Sequence, residues 1–228
     1  MHTFCTYDYY TMRISSKNAI CLSVVGFLTV LTAVCGTAEV AQASTFYVDS
    51  TADTVDATPG DGVCDDGAGS CSLRAAIMEA NTLVGADIID APAGTYTLTI
   101  PGDRENAALT GDLDITDELT ITGAGESSTI IDGGGIDRVL EVIASGNITG
   151  ITIQNGVGAG IYNTSQQLTL NNVTIIGNQT GIYNGFEAST ILADTSVIGN
   201  SPGSGIVNRG TVEIRNATIR GNTSADWG

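Results

Sequence analysis

A chain of 228 residues suffices for one domain or one elongated stack of repeats, and 29 glycines with few aromatics describe a chain that turns often and buries small β-branched side chains. Twenty-five acidic residues against eight basic ones leave a formal charge of −17. No lysine follows Lys17, and the six arginines beyond it (74, 104, 138, 209, 215 and 220) form no run, so the clustered cations that hold a phosphate backbone are missing and nucleic acid is excluded as a partner.

The chain opens on an address. Ala19 to Val34 is an apolar run, preceded by Arg13 and Lys17 and followed by Ala41-Gln42-Ala43, the three-part layout of a secretory signal with cleavage between Ala43 and Ser44. Two alternatives are a membrane anchor, for which the run is short of the roughly 20 apolar residues needed, and lipidation at Cys35, where Val34 is larger than the usual preceding residue. Residues 12–17 fit the start of such a signal better than residues 1–11, which makes Met12 a candidate start. Residues 1–43 are therefore expected to be removed, leaving a secreted or cell-surface protein, outer membrane included, without a transmembrane segment. The one histidine, His2, goes with them, and with it Ser-His-Asp and Cys-His catalysis and histidine-ligated zinc. Of five cysteines, Cys64 and Cys71 remain, expected as a disulfide closing a short loop, with thiolate metal binding as the weaker alternative.

Thr45 to Asp49 alternates like a strand, and a Gly/Asp loop from Thr58 to Ser70 follows, in which Asp65 and Asp66 read as turn formers. The period then changes. Leu73, Ala76, Ile77 and Ala80 fall at i, i+3, i+4 and i+7, one face of a short helix with Ser72 as N-cap and Asn81 as terminator. An amphipathic helix suits the open end of a stack of repeats, so residues 44–100 are expected to form a cap.

The run Cys71-Ser72-Leu73-Arg74-Ala75-Ala76 resembles the hallmark of the CSLREA domain, with Ala75 where that motif has glutamate. Asp53-Thr54-Val55-Asp56, the Gly-Asp-Gly loop and Ala93 to Leu98 also resemble it, so the likeness covers residues 45–100. It implies an N-terminal region of exported bacterial proteins, often followed by β-helix repeats like those of polymorphic outer-membrane proteins, and brings no catalytic residue with it.

From Leu119 onward the chain repeats itself. Asn155, Asn178, Asn200 and Asn222 stand 23, 22 and 22 residues apart, each after a short β-branched strand. Gly160 to Asn163, Gly181 to Asn184 and Gly205 to Asn208 keep step, as do Leu168 to Leu170, Ile191-Leu192 and Val212 to Ile214. A period near 22 with Gly and Asn corners predicts an all-β fold, a right-handed parallel β-helix over residues 101–228, with the preceding helix as its N-terminal cap. The leucine-rich repeat has a similar period but needs a Leu spacing that is missing. The last residues supply no cap, which predicts either a longer protein truncated here at its C-terminus or a partner over the end. Asn147, Asn163, Asn172, Asn178, Asn216 and Asn222 lie in N-x-S/T acceptor patterns. Their coil-period recurrence favours a structural ladder over glycosylation.

Candidate sites are few. Asp112 and Asp114 alternate with Leu113 and Ile115, so both carboxylates should face outward about 7 Å apart. That suits an inverting glycosidase pair or, with Asp117 and Glu118, a Ca²⁺ site, although a solvated polar face is the expectation that prevails. Asp132 and Asp137 flank Gly133-Gly134-Gly135, a tight corner. No Gly-His-Gly element of the pectin hydrolases is present, and Arg209, Arg215 and Arg220 lack an acidic cluster. The expected function is a structural or adhesive β-helix, without cofactor or catalysis of its own, that meets extracellular polysaccharide or a cell-surface ligand. The alternative is a pectate-lyase-like carbohydrate-active enzyme whose active coils lie mostly beyond residue 228.

Overall fold

The computed structural model describes residues 42–224 apart from 104 and 166. The expected signal therefore lies outside the described residues, except for its last two positions, Gln42 and Ala43, which are exposed.

The regular structure of the described chain is strand apart from one helix, Leu73–Ala80, and every strand pair is parallel. No helix among the described residues is long and apolar enough to cross a membrane. The strands stack into three ladders. The first runs through Thr45–Tyr47, Asp87–Ala91, Leu119–Gly123, residues 146–149 and 168–171, Ser189–Ala193 and Thr211–Arg215. The second runs through Gly94–Thr97, Thr129–Asp132, residues 151–154 and 173–176, Ser196–Ile198 and Thr218–Arg220. The third joins Leu113–Ile115, Leu140–Val142, Ile161–Asn163, Ile182–Asn184 and Ile206–Asn208.

Register follows from the side-chain period of two. Phe46, Ile89, Ile121, Ile148, Leu170, Leu192 and Ile214 are consecutive partners in the first ladder, and Tyr96, Ile131, Ile153, Ile175, Val197 and Ile219 in the second. A slip of one residue would turn every one of these to the outside, so burial of one face fixes the pairing. The stacks are buried up to Leu192 and Val197, and the last partners, Ile214 and Ile219, are exposed.

Between the first and second ladders the chain bends at one left-handed residue per repeat: Gly150, Asn172, Asp194 and Asn216, with φ of 67, 53, 47 and 50°. Glycine, asparagine and aspartate are the residues that tolerate this conformation. The corner after the second ladder uses Asn155, Gly177, Gly199 and Gly221 in the same way. Asn155 therefore does not belong with the other three asparagines. The residue in register with Asn178 is Gly156, whose N–H donates to Asn178 Oδ1 at 2.8 Å. The 23-residue first spacing therefore joins a corner residue to a column residue.

Asn178, Asn200 and Asn222 form a side-chain column inside the stack. Asn178 Nδ2 donates to Asn200 Oδ1 at 3.1 Å and to the Ile153 carbonyl at 3.2 Å, and Asn200 Nδ2 donates to Asn222 Oδ1 at 2.9 Å and to the Ile175 carbonyl at 3.1 Å. A second column, Asn163, Asn184 and Asn208, is joined by Nδ2 to Oδ1 bonds of 3.0 and 2.8 Å. Buried amides cost little when donors and acceptors are both met, and here each repeat completes the one before it. Asn163 and Asn178 are fully buried, so these amides are committed to the interior.

The N-terminal side is tied into the same ladders. Residues 44–100 are not a module set apart from 101–228, because Asp87–Ala91 and Gly94–Thr97 are themselves members of the ladders. All eight residues of the helix are buried, its polar face included. Leu73, Ala76, Ile77 and Ala80 belong to the apolar core, while the opposite face is covered by irregular chain that accepts its charges. Ser72 Oγ accepts from Ala75 N at 3.0 Å as the N-cap. Cys64 and Cys71 are joined by a disulfide beside it.

Candidate functional site

The site grows from the third ladder, where Leu113, Asp114 and Ile115 pair with Leu140, Glu141 and Val142. Leucine, isoleucine and valine turn inward, so Asp114 and Glu141 stand side by side on the outer face. Like charges in directly paired positions repel, and the protein answers with Arg138. Its Nη2 lies 2.7 Å from Glu141 Oε2 and its Nε 2.8 Å from Asp112 Oδ2. The second approach is close but poorly aligned, an ionic contact more than a hydrogen bond, since neither atom meets hydrogen-bond geometry.

Asp112 and Asp114 face outward from the ladder and are nevertheless shut away, at 2% and 0% exposure. The solvated polar face expected for them does not exist. The reason is the irregular chain before them: Ala108 N donates to Asp114 Oδ2 at 2.9 Å and folds residues 105–111 over the pair. Arg74 fixes that cover from the helix. It donates five hydrogen bonds, two to Asp53 and one each to the carbonyls of Ala108, Gly111 and Asp112. Asn81, at the other end of the helix, donates to the Asp114 carbonyl at 2.7 Å and accepts from Thr116 N at 2.9 Å.

Burial sets the electrostatics. It pushes Asp114 up to about 7, against the hydrogen bond from Ala108 and with the help of the Asp112, Glu105 and Glu141 charges. Burial also raises Asp112 and Glu141, with Arg138 pulling both back down. For Arg138, burial opposes the charge, but Asp112 and Glu141 outweigh it and hold the guanidinium above its ordinary value. Asp114 Oδ1 is buried without a hydrogen-bond partner. Asp112, Asp114 and Glu141 can each offer an oxygen within 4.8 Å of the others, a set able to hold a proton or a divalent cation.

Of the four carboxylates expected as a calcium set, Asp112 and Asp114 lie in the cluster and the other two do not. Asp117 and Glu118 turn away, Asp117 half-buried with its carboxylate accepting from Glu118 N at 2.8 Å, and Glu118 exposed. Glu141 stands beside Asp112 and Asp114 instead. Asp114 and Glu141 lie 27 residues apart, outside the 22-residue period, which hid the pairing. The signal that could have found it is the shared apolar-acidic-apolar triplet of Leu113 to Ile115 and Leu140 to Val142.

Next along the same outer face are Tyr162 and Tyr183, paired in register after Glu141. Their rings stack 4.7 Å apart and 7° from parallel. Arg138 lies 5.0 Å from the Tyr162 ring centre, and Arg209 lies 5.6 Å from that of Tyr183 and 5.3 Å from that of Phe186, which is 74% exposed. Cation–π contact thus extends the ionic cluster into an aromatic strip.

The remaining candidates are structural. Asp65 Oδ1 accepts from Gly67 N and Gly69 N, and Asp66 Oδ1 from Ala68 N and Ser70 N, bonds that hold Asp66 below the usual carboxylate range. Asp132 Oδ2 accepts from Gln154 and Asn155 at the glycine corner. Arg215 pairs with Glu213 at the surface, far from an acidic cluster.

Comparison with protein-family models, with curated proteins and with solved structures returned no match.

Proposed function

We propose that the chain is an exported structural or adhesive protein, a right-handed parallel β-helix that presents a rigid outer face to extracellular polysaccharide or a cell-surface ligand. The observation that carries this reading is the strip on the third ladder: Tyr162 and Tyr183 stacked between Arg138 and Arg209, with Phe186 open to solvent. Aromatic rings and guanidinium groups recur at binding surfaces because they give large contact area at low entropic cost. Inward columns of asparagine hold the strands beneath in place. The likeness of residues 45–100 to the CSLREA domain and the apolar run of residues 19–34 support export.

Calcium is the cofactor that the buried cluster fits, with Asp112, Asp114 and Glu141 as its ligands and a structural role beneath the cover. The second reading, a carbohydrate-active β-helix, is favoured by the raised Asp114, since perturbed carboxylates gather at catalytic sites. Against it, a glycosidic bond has no way between Asp112 and Asp114 while residues 105–111 cover them. The test is a panel of acidic and neutral polysaccharides, with binding and release of reducing or unsaturated ends both recorded. Binding that falls in Tyr183→Ala and Arg209→Ala supports the adhesive reading. New chain ends that vanish in Asp114→Ala overturn it.

A further inference from the structure

At the first strand, Ser44 N donates to Asp87 Oδ1 at 2.7 Å, and the chain then enters the ladder through Ile88 N to Ser44 O at 2.9 Å. Asp87 is 1% exposed, and its Oδ2 is buried without a hydrogen-bond partner. A peptide N–H has one hydrogen and serves one of those oxygens. A buried carboxylate oxygen left unmet is costly. Ser44 follows Ala41-Gln42-Ala43, and Gln42 and Ala43 are exposed ahead of it.

We infer that Ala43–Ser44 is a processing site with a built receptor: hydrolysis of this bond frees the Ser44 α-ammonium, which seats on Asp87 as a buried ion pair. The inference rests on the export reading and goes beyond it. Water adds across the amide, the carboxylate leaves with Ala43, and the amine on Ser44 takes up a proton. An ammonium has three hydrogens where the amide had one, so both Asp87 oxygens gain a donor from a single atom already in place. The first strand is then anchored by charge as well as by its ladder bonds, and the anchor exists only in the processed chain.

The mature chain allows an unusually clean test. No lysine lies in residues 44–228, so within them the Ser44 α-amine is the only primary amine after cleavage between Ala43 and Ser44. The full chain is expressed in an exporting bacterium, the mature protein is purified, and its mass gives its first residue. An amine-acylating reagent is then applied at pH 8 to the native protein, to the urea-unfolded protein and to native Asp87→Asn. The expected result is a chain beginning at Ser44 whose native amine reacts about fivefold more slowly than the unfolded one, the effect at pH 8 of a rise of about one pKa unit for a paired amine, with most of that protection lost in Asp87→Asn. Acetylating the amine is expected to lower Tm by several degrees in the native sequence and to change it little in Asp87→Asn, a cycle that holds even where the substitution itself weakens the fold. A mature chain beginning elsewhere sinks both the processing site and the inference. A chain beginning at Ser44 whose amine reacts equally in the native and unfolded states, or with protection unchanged in Asp87→Asn, sinks the ion pair and leaves export standing.

Discussion

The helix side of the molecule, residues 44–142, and the repeat side, residues 146–224, solve the same problem with different chemistry. Both must bury polar groups where chain crosses from one ladder to the next. The repeat side uses neutral amides whose partners recur every 21 to 24 residues, as from Asn163 to Asn184 to Asn208 and from Asn178 to Asn200 to Asn222. The helix side uses charges: Arg74 on Asp53, Arg138 on Asp112 and Glu141, and Glu79 accepting from Gly60 N and Gly62 N. A repeated amide column adds one equal step per repeat. A buried ionic network is all or nothing, because removing one member strands the others.

The widest gap between the two sides should open with Arg74→Met. Asp53 and three carbonyls lose their donor, and breaking a buried pair from one side costs about 3–5 kcal/mol. Denaturant unfolding should show that loss, and hydrogen exchange should rise over residues 99–116 before it rises in the repeats. Next comes Cys64→Ser with Cys71→Ser, about 2–3 kcal/mol by the chain-entropy estimate for so short a loop, again felt first at the helix. On the repeat side, Asn200→Ala removes the acceptor of Asn178 and the donor to the Ile175 carbonyl. A loss of about 2 kcal/mol is expected, read from the fall in Cm at unchanged m, with little dependence on pH. An equal loss from Asn155→Gly, which keeps the left-handed corner, would contradict the placement of Asn155 outside the column.

What the sequence disclosed follows the same division. The parallel, all-β character and the strands of the repeat side were legible because apolar residues and corner residues recur at a fixed spacing. The Asn columns were legible for three of the four asparagines named, and Asn155 misled because glycine and asparagine are interchangeable at a left-handed corner. The helix was legible from Leu73, Ala76, Ile77 and Ala80, yet its burial on all sides was not, since nothing in a local pattern says that Arg74 and Glu79 meet partners 17 to 38 residues away. The site failed for the same cause. Alternation gave Asp112 and Asp114 their outward direction correctly, but their cover comes from residues 105–111, a stretch with no period.

Asp114→Asn separates the two chemistries by pH. The Asp114 carboxyl is pushed up to about 7 in the folded protein, against an ordinary value of about 3.9 in the unfolded chain. A raised acid favours the protonated fold, so this contribution is fully present below about pH 4 and is lost as pH rises through about 7. In chelator, the native sequence should therefore lose stability between about pH 4 and 7, by about 1–2 kcal/mol after allowance for screening. The asparagine keeps an oxygen for Ala108 N and has no proton to lose, so its stability at pH 8 should exceed that of the native sequence and fall less across the same range, the remainder coming from Asp112 and Glu141. Calcium should reverse the order at pH 8, raising the Tm of the native sequence and leaving that of Asp114→Asn where it was. A flat pH profile for the native sequence would mean that the Asp114 charge is already met within the cluster, and a calcium shift that survives in Asp114→Asn would place the cation elsewhere.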